Sequence, residues 1–133
     1  MPNNYTLWFK EIDKEDVVHV GGKGANLGEM TKAGFPVPPG FVVTAHSYTS
    51  FLKENELAPK LKEILDPLDV ENPDSLSHAS SQIKRIINSS KVPDEVAKAI
   101  VHDYLTLNKE INKSNSHFHR LLSSLRSHDV PVA

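Results

Sequence analysis

Three glycines surround a lysine between positions 21 and 24, and an apolar helical pattern follows them directly. Leu27, Met30 and Ala33 lie at helical spacing, so we predict that a tight turn at the glycines leads straight into the first turn of a helix. Lys23 would then lie near a helix N-terminus. Such an end combines unpaired backbone N–H groups with a partial positive charge, and both favour an anion such as phosphate.

The glycine stretch matches neither of two common nucleotide-binding loops. A P-loop ends in Gly-Lys-Ser/Thr, whereas Gly24 follows Lys23 and supplies no hydroxyl for magnesium. A dinucleotide-binding fingerprint that starts at Gly22 would need a glycine at position 27, which is leucine. On spacing alone, a glycine-rich turn with a solvated lysine explains the stretch as well as a phosphate site does.

Residues on either side of the glycine stretch predict a small sheet. Aromatic and apolar residues at positions 5–9 and 41–44 indicate two short strands, and an apolar ending at residues 130–133 indicates a third. Between the first two strands we expect a charged turn at residues 13–16. The helix of the glycine stretch should end at Gly34, where a left-handed residue is typical.

Four helices are predicted after the second strand. Thr44, Asn72 and Pro93 suit helix starts, because they cap the first turn or occupy it without needing a backbone donor. Asn55 and Pro67 interrupt helices. The predicted spans are residues 44–55, 57–66, 72–87 and 93–111.

The predicted elements together indicate a helix-rich α+β fold with a small sheet of short strands. We expect the last two of the four helices to form an antiparallel hairpin. A polar loop at residues 112–116 and a final helix over residues 118–125 should follow them.

Composition indicates one soluble domain and argues against several kinds of partner. The 133 residues suffice for a single domain with a modest core. A net charge of −2 without a long basic run argues against nucleic acid or a membrane surface as the main partner. The first residues show no signal-peptide pattern, and the absence of cysteine excludes disulfides and thiolate metal sites, so we expect a cytoplasmic protein.

Histidines and serines do not form a recognisable catalytic or metal-binding set. His117 and His119 make a His-x-His pair with His128 nearby, but only Asp129 could join them, so solvated histidines are the favoured explanation. The serines lack a histidine and a third partner in any recognisable order. We therefore predict no catalytic residue and no metal ligand in this chain.

The sequence of the glycine stretch and of the residues after it resembles the N-terminal signature of the phosphoenolpyruvate synthase and pyruvate, phosphate dikinase family. The resemblance is carried by GGKGANLGEM at residues 21–30, by GFPVPPGF at residues 34–41 and by Thr44. Leu7-Trp8-Phe9 favours the synthase branch of the family. The match extends from about Tyr5 to about Leu107.

The resemblance implies both a fold and an activity. Residues 1–133 would be the N-terminal part of a pyruvate phosphate dikinase-type ATP-binding domain, namely the first subdomain of an ATP-grasp domain, truncated at its C-terminus. The full-length enzyme would be a phosphotransferase that converts ATP, pyruvate and water to AMP, phosphoenolpyruvate and phosphate in gluconeogenesis. It would act through a phosphohistidine on a separate domain and would need Mg²⁺.

The resemblance also implies roles for the glycine stretch. Lys23 matches a lysine that contacts the phosphates of ATP, and the glycines beside it would let the backbone approach them. The implied nucleotide-binding residues are Lys23, Gly22, Gly24 and Gly21. Ligands for Mg²⁺, the phosphohistidine and the pyruvate site are expected outside this chain, so the isolated chain is expected to be inactive.

Two alternatives stay open. A related phosphotransferase, such as pyruvate, phosphate dikinase or a rifampicin phosphotransferase, shares the glycine stretch and differs in its acceptor. A free-standing module could instead bind nucleotide weakly or serve as an interaction domain. The sequence also leaves the oligomeric state open, with a homo-oligomer as one arrangement of the full-length enzyme.

Overall fold

The computed structural model describes residues 4–114 and residue 120. Within this part of the chain, helices surround a two-stranded sheet. The elements are β1 (Thr6–Trp8), α1 (Val17–Lys32), β2 (Phe41–Val43), α2 (Ala45–Glu54), α3 (Leu57–Leu65), α4 (Pro73–Ser89) and α5 (Asp94–Ser114), with 3₁₀ turns at Phe9–Glu11 and Lys14–Asp16. The predicted helix-rich α+β fold is confirmed. The predicted third strand and final helix lie outside the described residues.

The two strands pair antiparallel, with Thr6 opposite Val43 and Trp8 opposite Phe41. The rings of Trp8 and Phe41 are tilted against each other, with their centroids 5.3 Å apart. Both strands are shorter than predicted, because Phe9 begins a 3₁₀ turn and the residue after Val43 caps α2. The sheet is therefore small, and the helices supply most of the surface on which the core is built.

Local capping signals place the helix ends where the sequence predicts them. The hydroxyl of Thr44 accepts a hydrogen bond from the backbone N–H of Ser47 at 3.4 Å. The side chain of Asn72 accepts from the N–H groups of Asp74 and Ser75, and Pro73 occupies the first helical position. Gly34 follows α1 with a φ of 85°, which is the left-handed conformation expected of a residue after a helix.

The first helix lies unusually close to its neighbours because two of its residues lack side chains. Gly24 and Gly28 are four positions apart on one face, and both are buried. A Cβ on Gly28 would lie 2.6 Å from the backbone oxygen of Ile12, and one on Gly24 would lie 3.2 Å from Val42 Cγ2. Ile12 is fully buried by this contact. The position of α1 against the sheet therefore depends on glycine.

Two hydroxyls at the start of α2 hold the chain that enters β1. Thr44 Oγ1 donates a hydrogen bond to the backbone oxygen of Asn4 at 2.5 Å. Ser47 Oγ donates to the backbone oxygen of Tyr5 at 2.6 Å. Because Thr44 and Ser47 are both buried, these hydrogen bonds also satisfy their own hydroxyl groups.

Two carboxylates of α5 accept hydrogen bonds from side chains at the start of β1. Thr6 Oγ1 donates to Asp103 Oδ2 at 2.6 Å, and Asp103 is 8% exposed. The Tyr5 hydroxyl donates to Glu95 Oε2 at 3.0 Å. A buried carboxylate needs such partners, since an unpaired charge in the interior is costly. These polar contacts fix α5 beside β1.

The predicted hairpin of α4 and α5 is wrong. The main neighbour of α4 is α3, and the main neighbour of α5 is β1. The hydrogen bond from Thr6 to Asp103 draws α5 toward the sheet, while Ala79 of α4 is buried beside Ile64 and Leu68, which line the same cavity. The predicted loop at residues 112–116 is also wrong in its first part, because no glycine or proline stops α5 before Ser114.

The close packing of α1 makes a test of stability possible. Gly28→Ala should lower the free energy of unfolding by about 1–3 kcal/mol, because the new Cβ overlaps the backbone of Ile12. Gly22→Ala is the matched control, since no atom lies within 4 Å of its Cβ position and its backbone is helical. The control substitution should raise the free energy of unfolding by at most about 1 kcal/mol, because alanine is the better helix former. Urea unfolding followed by circular dichroism measures both, and equal effects would contradict the described packing.

The contact between Tyr5 and Glu95 predicts an alkaline transition. The hydrogen bond to Glu95 raises the pKa of Tyr5 above the ordinary value of 10.0, and partial desolvation and then the negative charges of Glu95 and Glu54 raise it further. The folded chain therefore keeps this proton longer than the unfolded chain does. The contact stabilises the fold fully below about pH 10, and this stabilisation is lost as pH rises through the pKa of the folded state.

Absorbance at 295 nm measures this titration. The difference between the wild type and Tyr5→Phe should show a midpoint above 10.0. Glu95→Ala should move that midpoint down, because it removes both the acceptor and its charge. A midpoint at or below the ordinary value in the wild type would show that the hydrogen bond does not form in solution.

Candidate functional site

Gly21 divides α1 into two helical segments. Its φ of 75° and ψ of 172° are non-helical, whereas the residues on both sides of it are helical. Glycine reaches this backbone conformation readily, and other residues essentially do not. The predicted turn into a helix is therefore present, and the structure adds a helical turn over residues 17–20 before it.

Lys23 lies in the first turn of the second helical segment, directly after Gly21 and Gly22. All three residues are exposed. No ion pair joins the Lys23 ammonium to a carboxylate within residues 4–114. The nearby helix start and the ammonium both attract anions, so their charges add at this point of the surface.

The predicted glycines lie together but have different surroundings. Gly21 has the positive φ, and Gly24 is buried, with its Cβ position 2.9 Å from Val20 Cβ. Gly22 has neither constraint: its backbone is helical and no atom lies within 4 Å of its Cβ position. Backbone conformation thus explains glycine at position 21 and packing explains it at position 24, while neither explains it at position 22.

The structure adds an exposed apolar pair that the sequence analysis did not single out. Val17 and Val18 occupy the helical turn before Gly21 and are 46% and 71% exposed. Two adjacent valines carry no helical or strand periodicity, so the sequence offered no signal that both would face solvent. They give the glycine stretch an apolar neighbour.

Neither a metal-binding cluster nor a membrane-spanning helix is present in the part of the chain that the structure describes. Residues 4–114 and 120 contain no group of three or more His, Cys, Asp or Glu side chains that could hold a metal ion. His117, His119 and His128 lie outside the described residues. None of the described helices combines the length and hydropathy needed to cross a membrane.

Comparison with known proteins establishes the family. The sequence model of the pyruvate phosphate dikinase, AMP/ATP-binding domain matches residues 17–131. This match covers most of the chain, so the chain belongs to that family. The resemblance seen in the glycine stretch is thereby confirmed, and the chain corresponds to an ATP-binding part.

Similar individual proteins are named as phosphoenolpyruvate synthases or probable phosphoenolpyruvate synthases. A probable phosphoenolpyruvate synthase of Methanothermobacter thermautotrophicus is 43% identical over 129 residues, covering 97% of this chain and 19% of that protein. One of Staphylothermus marinus is 38% identical over 130 residues, covering 97% of this chain and 16% of that protein. The phosphoenolpyruvate synthase of Pyrococcus furiosus is 30% identical over 165 residues, covering 100% of this chain and 20% of that protein. The chain therefore spans a fifth or less of the length of these relatives.

Proposed function

We propose that this chain contributes the ATP-binding part of a phosphoenolpyruvate synthase and that Lys23 contacts the phosphates of ATP. The observation that carries the proposal is the backbone of Gly21. Its positive φ restarts the helix at Gly22, so that the exposed Lys23 ammonium lies in the first turn of a helical segment. Phosphate is the group of ATP that such a helix end and a lysine both favour.

Gly22 supports the same site. Since neither backbone conformation nor packing requires glycine there, the absent side chain leaves open space in front of the main chain. Phosphate oxygens could approach the backbone through that space. In this proposal Gly21 makes the turn, Gly24 holds the segment against β2, and Gly22 keeps the approach open.

The reaction of the whole protein is part of the proposal. It would convert ATP, pyruvate and water to AMP, phosphoenolpyruvate and phosphate through a phosphohistidine, in the cytoplasm and in gluconeogenesis. The Lys23 ammonium would offset negative charge on the phosphates during transfer. The described residues would belong to the first subdomain of an ATP-grasp domain. The ligands for Mg²⁺, the histidine and the pyruvate site would lie in other parts of the protein.

Nucleotide titration of the chain tests the site. Amide chemical shifts should move at residues 21–28 when Mg-ATP is added, and adenosine should leave them in place because it lacks phosphates. Lys23→Ala should weaken ATP binding about tenfold or more, since a charge-assisted contact to phosphate is lost. Lys60→Ala removes an exposed lysine from α3 and should leave the affinity unchanged. Equal losses in the two variants would indicate only a general effect of charge.

The activity of the isolated chain is a separate test. The 133-residue chain with ATP, pyruvate and magnesium should form no phosphoenolpyruvate, because the phosphohistidine and the pyruvate site are proposed to lie elsewhere. Phosphorus NMR follows ATP, AMP and phosphoenolpyruvate in one sample. Formation of phosphoenolpyruvate above the rate of a protein-free sample would overturn this division of roles.

A further inference from the structure

An open groove between α2 and α5 is lined mostly by apolar side chains. It encloses about 290 Å³. We call it the α2–α5 groove and define it by the floor residues Phe51, Val96 and Ile100 and by the margin residues Val43, Tyr48 and Val92. None of these residues belongs to the glycine stretch.

The margin of the α2–α5 groove is exposed, although its side chains are large and apolar. Val43, Tyr48 and Val92 are 46%, 52% and 45% exposed, whereas Val96 on the floor is 3% exposed. A contiguous apolar surface of this kind commonly marks a contact site, since exposed apolar area that can be removed from water favours association.

Carboxylates lie at one end of the groove. Val92 also lines a neighbouring cavity of about 360 Å³, which Glu54, Asp94 and Glu95 line as well. Asp94 is paired with Lys91 at 3.1 Å. Neither Glu54 nor Glu95 has an ion pair within residues 4–114, and Glu95 accepts only a neutral hydrogen bond from Tyr5.

The lysines of the two helices do not balance these charges at the groove. Lys98 is two positions from both Val96 and Ile100, and Lys53 is two positions from Phe51. Residues two positions apart on a helix lie about 200° apart around its axis, so both ammonium groups belong to other helix faces. The groove therefore joins an apolar floor to an end with two unbalanced negative charges.

We propose that the α2–α5 groove docks an amphipathic helix of a partner protein. Apolar side chains at i, i+3 or i+4 would enter the groove, and a lysine or arginine one turn further along would meet Glu54 and Glu95. A helix suits this surface because its side-chain ridges fit the space between two neighbouring helices. The interaction is additional to the proposed binding of ATP and does not depend on it.

Two synthetic peptides of about 16 residues serve as probes. Both carry leucines at i, i+3, i+4 and i+7 on alanine-rich helices; the polar positions are lysine in one peptide and glutamate in the other. The chain should bind the lysine peptide at least about tenfold more tightly, as measured by calorimetry, because opposite charges meet at the groove and like charges are opposed. Amide shifts should map its position to residues 43–51 and 92–100.

Single variants then distinguish binding in the groove from non-specific binding to other apolar surfaces. Tyr48→Ser should lower the affinity for the lysine peptide several-fold. Val70→Ser changes an exposed apolar residue outside the groove and should leave that affinity unchanged. Glu54→Gln should weaken it about two- to fivefold at low salt and have no effect at 1 M salt. Lys23→Ala should leave peptide binding unchanged, so failure here is distinguishable from failure of the ATP proposal.

Four outcomes would overturn the proposal. The first is equal affinity for the two peptides, which would show that charge plays no part. The second is an unchanged affinity in Tyr48→Ser, and the third is a set of shifted amides at another surface. Absence of any shift with the lysine peptide at millimolar concentration would overturn it as well.

Discussion

The distance between α1 and its neighbours is the constraint on which the rest of this structure depends. A Cβ on Gly28 would lie 2.6 Å from the backbone oxygen of Ile12, and one on Gly24 would lie 3.2 Å from Val42 Cγ2. Interiors are close-packed, so an extra methyl group at position 28 has to shift α1 or the backbone of Ile12, and one at position 24 has to press on the side chain of Val42. The direction of α1 is therefore set along its buried face. Lys23 lies in the same helical segment as Gly24 and Gly28, directly after Gly21 and Gly22. The packing of Gly24 and Gly28 therefore also fixes where the Lys23 side chain is exposed to solvent.

Hydrogen bonds supplement the small apolar core of this structure. The buried apolar residues of the described chain are few and spread over several elements, with Leu7, Leu57 and Val96 on three of them. Around β1 the chain instead uses hydroxyl and carboxylate groups of α2 and α5, and every buried side-chain polar atom in residues 4–114 has a partner. Satisfied polar networks of this kind add directional specificity, because hydrogen bonds depend on the angle between donor and acceptor. Hydrogen bonds from both α2 and α5 thus hold β1 and the residues just before it.

The sequence predicted what local chemistry decides and missed what distant contacts decide. Thr44, Asn72 and Gly34 act within one helical turn of their own position, so capping rules were sufficient to place them. The partner of α5 depends on the hydrogen bond between Thr6 and Asp103, which are 97 positions apart, and no local pattern encodes that contact. The glycine stretch shows a subtler limit. Glycine can be required by a positive φ, by close packing or by the approach of a ligand, and the sequence does not distinguish these reasons. The three-dimensional structure shows that the positive φ applies to Gly21 and the close packing to Gly24.

The short strand β2 connects the two surfaces to which functions are proposed. Successive side chains of a strand point to opposite faces, so adjacent residues of β2 contact different parts of the molecule. Val42 lies at the Cβ position of Gly24, behind the helical segment that carries Lys23, while Val43 lies on the margin of the α2–α5 groove. Its hydrogen-bonded partner β1 is in turn held by α2 and α5. β2 therefore contacts the helical segment that carries Lys23 through Val42 and lines the α2–α5 groove through Val43.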